Sequence, residues 1–132
     1  MIQPSQFLRR AIQADAIFSG VSAVLLTLGA AELAPWLALP EALLRETGLF
    51  LIAYRALVGW LSTRQAMPKP LVLIVIAGNA AWTIASIALL FSSAVTPNLL
   101  GEAFVAMQAI AVGALGELQY IGLRRSSDAL AA

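Results

Sequence analysis

Four apolar stretches, separated by short polar segments, dominate the pattern along the chain. They run over residues 16–31, 48–61, 71–91 and 99–123. About 20 helical residues cross a bilayer core about 30 Å thick, and backbone in lipid must satisfy its own hydrogen bonds. The segments between the stretches contain five of the six prolines, which interrupt helices. The pattern therefore predicts an all-α protein, a bundle of four transmembrane helices.

Two segments of the chain resemble each other. "ADAIFSGVSAVLLT" at 14–27 aligns with "GNAAWTIASIALLF" at 78–91, which places Asp15 over Asn79, and a Pro, Leu-Leu, Glu pattern follows each copy. The match predicts two tandem helical hairpins, at 11–63 and 70–124, within a single membrane domain over 1–132. Such copies would be related by an axis along the membrane normal. Chance similarity in an Ala- and Leu-rich chain is the alternative, and the sequence leaves both open.

The composition supports a surface that faces lipid. Hydrophobic residues make up 61% of the chain and charged residues 11%, whereas soluble domains carry about 25% charged residues. The net charge of +1 gives no reason to expect a nucleic-acid partner. The sequence has no Cys and no His, which removes thiol chemistry and imidazole ligation of metals. No cofactor and no metal site are therefore predicted.

The distribution of Lys and Arg predicts an orientation. Six cations flank one side of the predicted bundle: Arg9, Arg10, Arg64, Lys69, Arg124 and Arg125. The opposite side has Arg45 alone, beside two glutamates. Because cytoplasmic loops are enriched in Lys and Arg, both termini are expected in the cytoplasm of a bacterial inner-membrane protein. The segment 39–46 is expected at the outer interface, since it is too short to cross.

Polar residues within the apolar stretches form the candidate site. Arg55 lies near the middle of the second stretch, where a charge costs roughly 2.5–3.5 kcal/mol, so it is expected to point inward and pair with Glu117 or Asp15. The full candidate set is Asp15, Arg55, Asn79, Trp82, Glu117 and Tyr120. Such residues could form a binding site or could only lock the helices together, and the sequence leaves both interpretations open.

The fourth stretch carries a row of small residues. These are Ala106, Ala109, Gly113 and Gly116. Small residues at such spacing allow close helix packing in lipid. This helix is therefore expected to pack centrally or to line a cavity.

Two functions fit these features best. The first is an accessory or self-associating structural subunit, with membrane lipids, further copies or other membrane subunits as partners. The alternative is a binder or carrier of a small amphiphile, such as a quinone or a lipid. An enzyme using Glu117 as acid or base is less favoured, because the sequence contains no nucleotide-binding loop, nucleophile elbow or metal-ligand cluster.

Three segments also suggest a family resemblance. They are "LPEALLRETGLFL", "IAGNAAW" and "GELQYIGLRR". The arrangement resembles small four-helix proteobacterial membrane proteins, loosely of the DoxX type. That resemblance implies a membrane redox or assembly role, and it assigns no functional residue.

Overall fold

The computed structural model describes residues 1–128, which are almost entirely helical, so the all-α prediction is confirmed. The described helices are α1 (Gln6–Leu28), α2 (Ala30–Leu37), α3 (Glu41–Ser62), α4 (Lys69–Phe91) and α5 (Leu99–Arg124). A short antiparallel pair joins β1 (Ile2–Gln3) to β2 (Ser127–Asp128). Positions 129–132 of the predicted domain lie outside the described residues.

Local chemistry explains where the helices begin. The Ser5 hydroxyl accepts a hydrogen bond from the Leu8 N–H at 3.0 Å, and Asn98 Oδ1 accepts one from the Gly101 N–H at 2.8 Å. Both are side-chain caps that satisfy N–H groups left unpaired in a first helical turn. The observed α4 and α5 lie within two residues of the predicted stretches 71–91 and 99–123.

The predicted end of the first membrane span is wrong. The stretch 16–31 was expected to be one span, but α1 ends at Leu28 and a separate helix, α2, follows Gly29. Pro35 was expected in a helix break and instead lies inside α2. A proline inside a helix removes one backbone hydrogen bond and crowds the carbonyl four residues before it, and α2 extends only two residues beyond Pro35. α2 ends where Ala38 adopts a left-handed conformation, with φ of 52°.

α1 is the central helix. It packs antiparallel against α3 and against α5, and α5 packs against α4. The α3 and α4 backbones are not closely packed, and side chains connect them instead. Two buried apolar clusters occupy the two ends, one including Leu8, Ile12 and Val72, the other Leu26 and Leu44.

The chain ends and the α3–α4 loop meet at one end of the molecule. Ile2 exchanges backbone hydrogen bonds with Met67, at 2.8 and 2.9 Å. Arg9 donates hydrogen bonds to the carbonyls of Ser62 and Arg64. At the opposite end, the N–H of Asn98 donates to the Leu37 carbonyl at 3.3 Å. The four long helices therefore run between the same two ends.

Three helices, α1, α4 and α5, are long and apolar enough to cross a membrane. This is consistent with a membrane protein, as is the exposure of large apolar side chains such as Ile84 (68%) and Phe91 (88%). α3 is 22 residues long but contains Glu41, Arg45, Glu46 and Arg55. A fourth membrane crossing therefore stays a prediction.

The closest approach of α1 and α5 generates a test of the packing. A methyl group at Gly122 would lie 2.6 Å from Leu8 Cα and 2.8 Å from the Leu8 nitrogen. Because these are backbone atoms, Gly122→Ala should force the helices apart and lower the free energy of unfolding by about 1–3 kcal/mol. Reversible unfolding in mixed detergent micelles measures this loss.

Gly78→Ala is the matched control for that experiment. A methyl group at Gly78 meets no atom within 4 Å, so alanine should leave the free energy of unfolding unchanged or raise it by up to about 1 kcal/mol. Equal effects at the two positions would contradict the α1–α5 packing described above.

Candidate functional site

Asp15 is buried, 2% exposed, and four donor groups lie within hydrogen-bond distance of its carboxyl oxygens. Its Oδ1 accepts from the Ser19 hydroxyl at 3.0 Å. Its Oδ2 accepts from the Tyr54 hydroxyl at 2.7 Å, Asn79 Nδ2 at 3.0 Å and Gln119 Nε2 at 2.8 Å. These five residues are called the Asp15 cluster below.

The amides of the cluster also bond to each other. Asn79 Nδ2 donates to Gln119 Oε1 at 2.8 Å, and the Tyr54 hydroxyl lies 3.1 Å from Asn79 Oδ1. Since Tyr54 has a single hydroxyl proton, it donates to either Asp15 or Asn79 at a given moment. The cluster is therefore a connected polar network closed by the protein's own side chains.

All four long helices contribute to this network. Asp15 and Ser19 lie one turn apart on α1, while Tyr54 comes from α3, Asn79 from α4 and Gln119 from α5. Small residues on α5 make the approach of α4 possible. A methyl group at Gly116 would lie 3.2 Å from Asn79 Cβ.

Neutral donors, rather than a cation, satisfy the Asp15 carboxylate. In residues 1–128 the one salt bridge joins Arg45 to Glu41, at 2.9 Å on an exposed face of α3. Burying a charged group is costly unless its hydrogen-bonding capacity is filled, and hydrogen bonds to a carboxylate are stronger than neutral ones. The donors around Asp15 therefore fill its hydrogen-bonding capacity without a cation.

The predicted ion pair of Arg55 with Glu117 or Asp15 does not form. Arg55 is exposed, and its side chain passes over Gly20 with its guanidinium against Gly59. Successive helical residues point about 100° apart, so Tyr54 facing Asp15 turns Arg55 away from the interior. Glu117 is also exposed. In this turn of α5 the Gln119 side chain faces the interior, and the Glu117 side chain therefore points outward.

The other predicted residues lie apart from Asp15. Trp82 Nε1 donates to Gln108 Oε1 at 2.8 Å, and Gln108 Nε2 donates to the Ser86 hydroxyl at 2.9 Å. The Trp82 ring also stacks on Phe50, with centroids 5.8 Å apart. Tyr120 is 50% exposed, with the Arg124 guanidinium 5.9 Å from its ring centroid.

The structure therefore brings together Asp15 and Asn79 from the predicted set. Sequence reasoning left out Ser19, Tyr54 and Gln119. Gln119 carried a usable signal, since an amide in an otherwise apolar helix requires a hydrogen-bond partner. Tyr54 carried no such signal in the sequence, apart from its position next to Arg55.

The small residues of α5 lie at its interface with α4. Ala109 is 2% exposed, and methyl groups at Gly113 and Gly116 would meet Thr83 and Asn79. Ala106 is half-buried. The Thr83 hydroxyl lies 3.0 Å from the Asn79 carbonyl and 3.2 Å from the Ala109 carbonyl, and it donates its single proton to one or the other.

Comparisons with protein-family models, with curated proteins and with solved structures find no match to this chain. The DoxX-type resemblance therefore stays a prediction. The role of the site rests on its geometry.

Removing the central carboxylate should expose its role in stability. Asp15→Ala leaves at least two buried donors, on Asn79 and Gln119, without their acceptor. Because an unsatisfied buried donor costs about 1–3 kcal/mol, the free energy of unfolding should fall by about 3 kcal/mol. Unfolding in detergent micelles measures the change.

Glu117→Ala is the matched control, since it removes an exposed carboxylate by the same substitution. Its effect should stay within about 0.5 kcal/mol, as for most surface changes. A small effect of Asp15→Ala, similar to that of the control, would show that the cluster contributes little to stability.

Proposed function

We propose that the protein is a small integral membrane protein that serves as a structural, non-catalytic subunit of an assembly in a bacterial inner membrane. The observation that carries this proposal is the closed Asp15 cluster. Its polar groups are directed at each other and hold four helices together, whereas a catalytic site must leave a reactive group accessible to a substrate.

The position of α3 supports four membrane crossings. This helix runs beside α1 from the contact of Arg9 with Ser62 at one end to the close approach of Gly48 to Thr27 near the other. Since α1 is long and apolar enough to cross a membrane, the helix beside it covers the same depth. Arg55 is tolerated because its long stem carries the charge toward the membrane surface.

The cations support an orientation with both termini in the cytoplasm. The end that joins β1, β2 and the α3–α4 loop carries Arg9, Arg64, Lys69, Arg124 and Arg125. The opposite end carries Arg45, paired with Glu41. Because cytoplasmic loops carry an excess of cations, this distribution supports an orientation with the first end inside and the segment 39–46 at the outer interface.

A role as a subunit requires a surface for a partner, either a further copy or another membrane protein. Large apolar side chains are exposed along α4 and α5, for example Ile74 (58%), Ile84 (68%) and Ile110 (71%). This surface suits lipid and membrane helices alike. The small residues of α5 are occupied by α4, so association would use other faces.

Binding of a small amphiphile is the second candidate function. It is favoured by Arg55, an exposed cation beside an apolar face of α1. The Asp15 cluster does not support it, because its donors and acceptors are already paired.

The orientation is tested with reporter fusions. Alkaline phosphatase, which folds only outside the cytoplasm, should be inactive when fused after the C-terminus and active when fused in the α4–α5 loop at Ala94. Green fluorescent protein should show the reverse pattern. An active C-terminal phosphatase fusion would contradict this topology.

Association is tested by mass determination in a mild detergent. The isolated chain has a mass of 13.9 kDa, and a structural subunit should appear in a larger species that chemical crosslinking in intact membranes also captures. A strict monomer in both experiments, with no co-purifying protein, would exclude the proposed role.

A further inference from the structure

A groove lies between α2 and the first turns of α5, at the end of the molecule opposite the chain termini. It encloses about 430 Å³ and is called the α2–α5 groove below. Its lining is apolar apart from one carboxylate, that of Glu32 in the first turn of α2. The apolar lining includes Leu33 and Trp36 of α2 and Leu100, Phe104 and Met107 of α5.

Direct contacts between α2 and α5 hold the two walls of the groove in place. Asn98 Nδ2 donates a hydrogen bond to the Trp36 carbonyl at 2.8 Å, and the Asn98 N–H donates one to the Leu37 carbonyl at 3.3 Å. A methyl group at Gly101 would collide with the same Leu37 carbonyl. The groove is therefore formed by the fold of the chain itself, before any partner binds.

The groove lies at the outer edge of the membrane in the proposed arrangement. α1 and α4 contain 23 residues each, which is about 34 Å of helix and enough for a hydrocarbon core about 30 Å thick. α2 begins only where α1 has ended. Trp36 is 70% exposed and Leu100 is 53% exposed. At this depth such side chains face headgroups and water, so acyl chains do not cover them.

The charge at this end selects the kind of partner. Four exposed carboxylates, Glu32, Glu41, Glu46 and Glu102, stand there with one guanidinium, that of Arg45, and Glu32 has no ion-pair partner within residues 1–128. A second copy in the same orientation would bring the same negative end against the groove. Anionic headgroups would be repelled as well, because like charges brought together at an interface are unfavourable. The groove therefore suits a partner with positive charge.

We propose that the α2–α5 groove binds a basic amphipathic helix of another membrane subunit. From Leu100 to Met107 the α5 wall is about 10 Å long, which matches the i to i+7 span of the apolar anchors of a helix bound in a groove. These anchors pack against Trp36 and Phe104, and a Lys or Arg of the partner pairs with Glu32 at the rim. Aromatic residues and Met are enriched at the centres of protein interfaces. This inference names the partner for the proposed subunit role and rests on that role.

Site-specific photo-crosslinking in the membranes of the native host tests the proposal. The photoreactive residue p-benzoylphenylalanine replaces Met107, which lines the groove and is 69% exposed. In a matched variant it replaces Phe91, which is 88% exposed at the same end of the molecule. The Met107 variant should crosslink to one other protein, and mass spectrometry should find Lys or Arg beside apolar residues spaced three and four apart in the crosslinked segment. The Phe91 variant should crosslink to lipid alone.

Two matched pairs of substitutions assign the crosslink to the groove. Glu32→Lys should lower its yield about fivefold, the factor that corresponds to about 1 kcal/mol. Glu102→Lys should leave it unchanged, because at about 100° per residue Glu102 lies on the opposite side of α5 from Phe104. Trp36→Ala should lower the yield about tenfold, whereas Trp60→Ala, at an exposed tryptophan of the other end, should not. Far-UV circular dichroism checks the helix content of each variant, and Glu32→Gln, with a smaller loss of yield, replaces Glu32→Lys if that variant does not fold.

Three results would overturn the proposal. The first is a Met107 variant that crosslinks to lipid alone or to nothing, which would make Trp36 an anchor in the membrane interface. The second is a crosslink to a second copy of the chain. The third is a crosslink to a segment without Lys or Arg, or one whose yield is the same in Glu32→Lys. The mass determination is read independently, so a larger species without a crosslink in the groove refutes the groove proposal alone.

Discussion

The Asp15 carboxylate is the point at which the four long helices are fixed relative to one another. In lipid the hydrophobic effect gives helices little reason to associate, so packing and polar contacts between them set the arrangement. Asp15 accepts hydrogen bonds from its own helix and from α3, α4 and α5. A slide or rotation of any one of these helices would remove a donor from a buried acceptor, which makes the arrangement specific.

The orientation of the other polar residues follows from this constraint. Turning Tyr54 inward places Arg55 on the outer surface, and turning Gln119 inward places Glu117 and Tyr120 outside. The charged groups of α3 and α5 therefore face away from the interior, although they lie in the same helices as the cluster. The outward position of Arg55 also places a cation beside an otherwise apolar face of α1.

The hydrophobic pattern was sufficient to predict a helical protein and to locate α4 and α5 within two residues. It failed at α2, because a proline inside a short helix is indistinguishable in sequence from a proline in a break.

Asp15 and Asn79 were found because polar side chains stand out in apolar stretches. The prediction of an Arg55 ion pair was wrong because it paired charges that lie at similar depth in the membrane, without considering which face of each helix carries them. The buried face of a helix is difficult to predict when both sides of the helix are apolar. The inward position of Tyr54 was missed for the same reason.

The internal repeat stays a prediction. Asp15 and Asn79, the aligned polar residues of the two copies, do meet, at 3.0 Å. However, the packing of α1 against α5 has no equal between α4 and α3, although a two-fold relation between the hairpins would require one. The stacked rings of Phe50 and Trp82 connect α3 to α4 instead.

A double-mutant cycle between Asp15 and Gln119 tests the central role of the cluster most directly. Unfolding free energies are measured in micelles for Asp15→Ala, Gln119→Ala and the double variant, with Gln108→Ala replacing Gln119→Ala as the control. The account predicts a coupling energy of about 1–3 kcal/mol for Asp15 with Gln119, and additivity within about 0.5 kcal/mol for Asp15 with Gln108. Additive effects for Asp15 and Gln119 would contradict it, because they would show that the helices are held in place without this network.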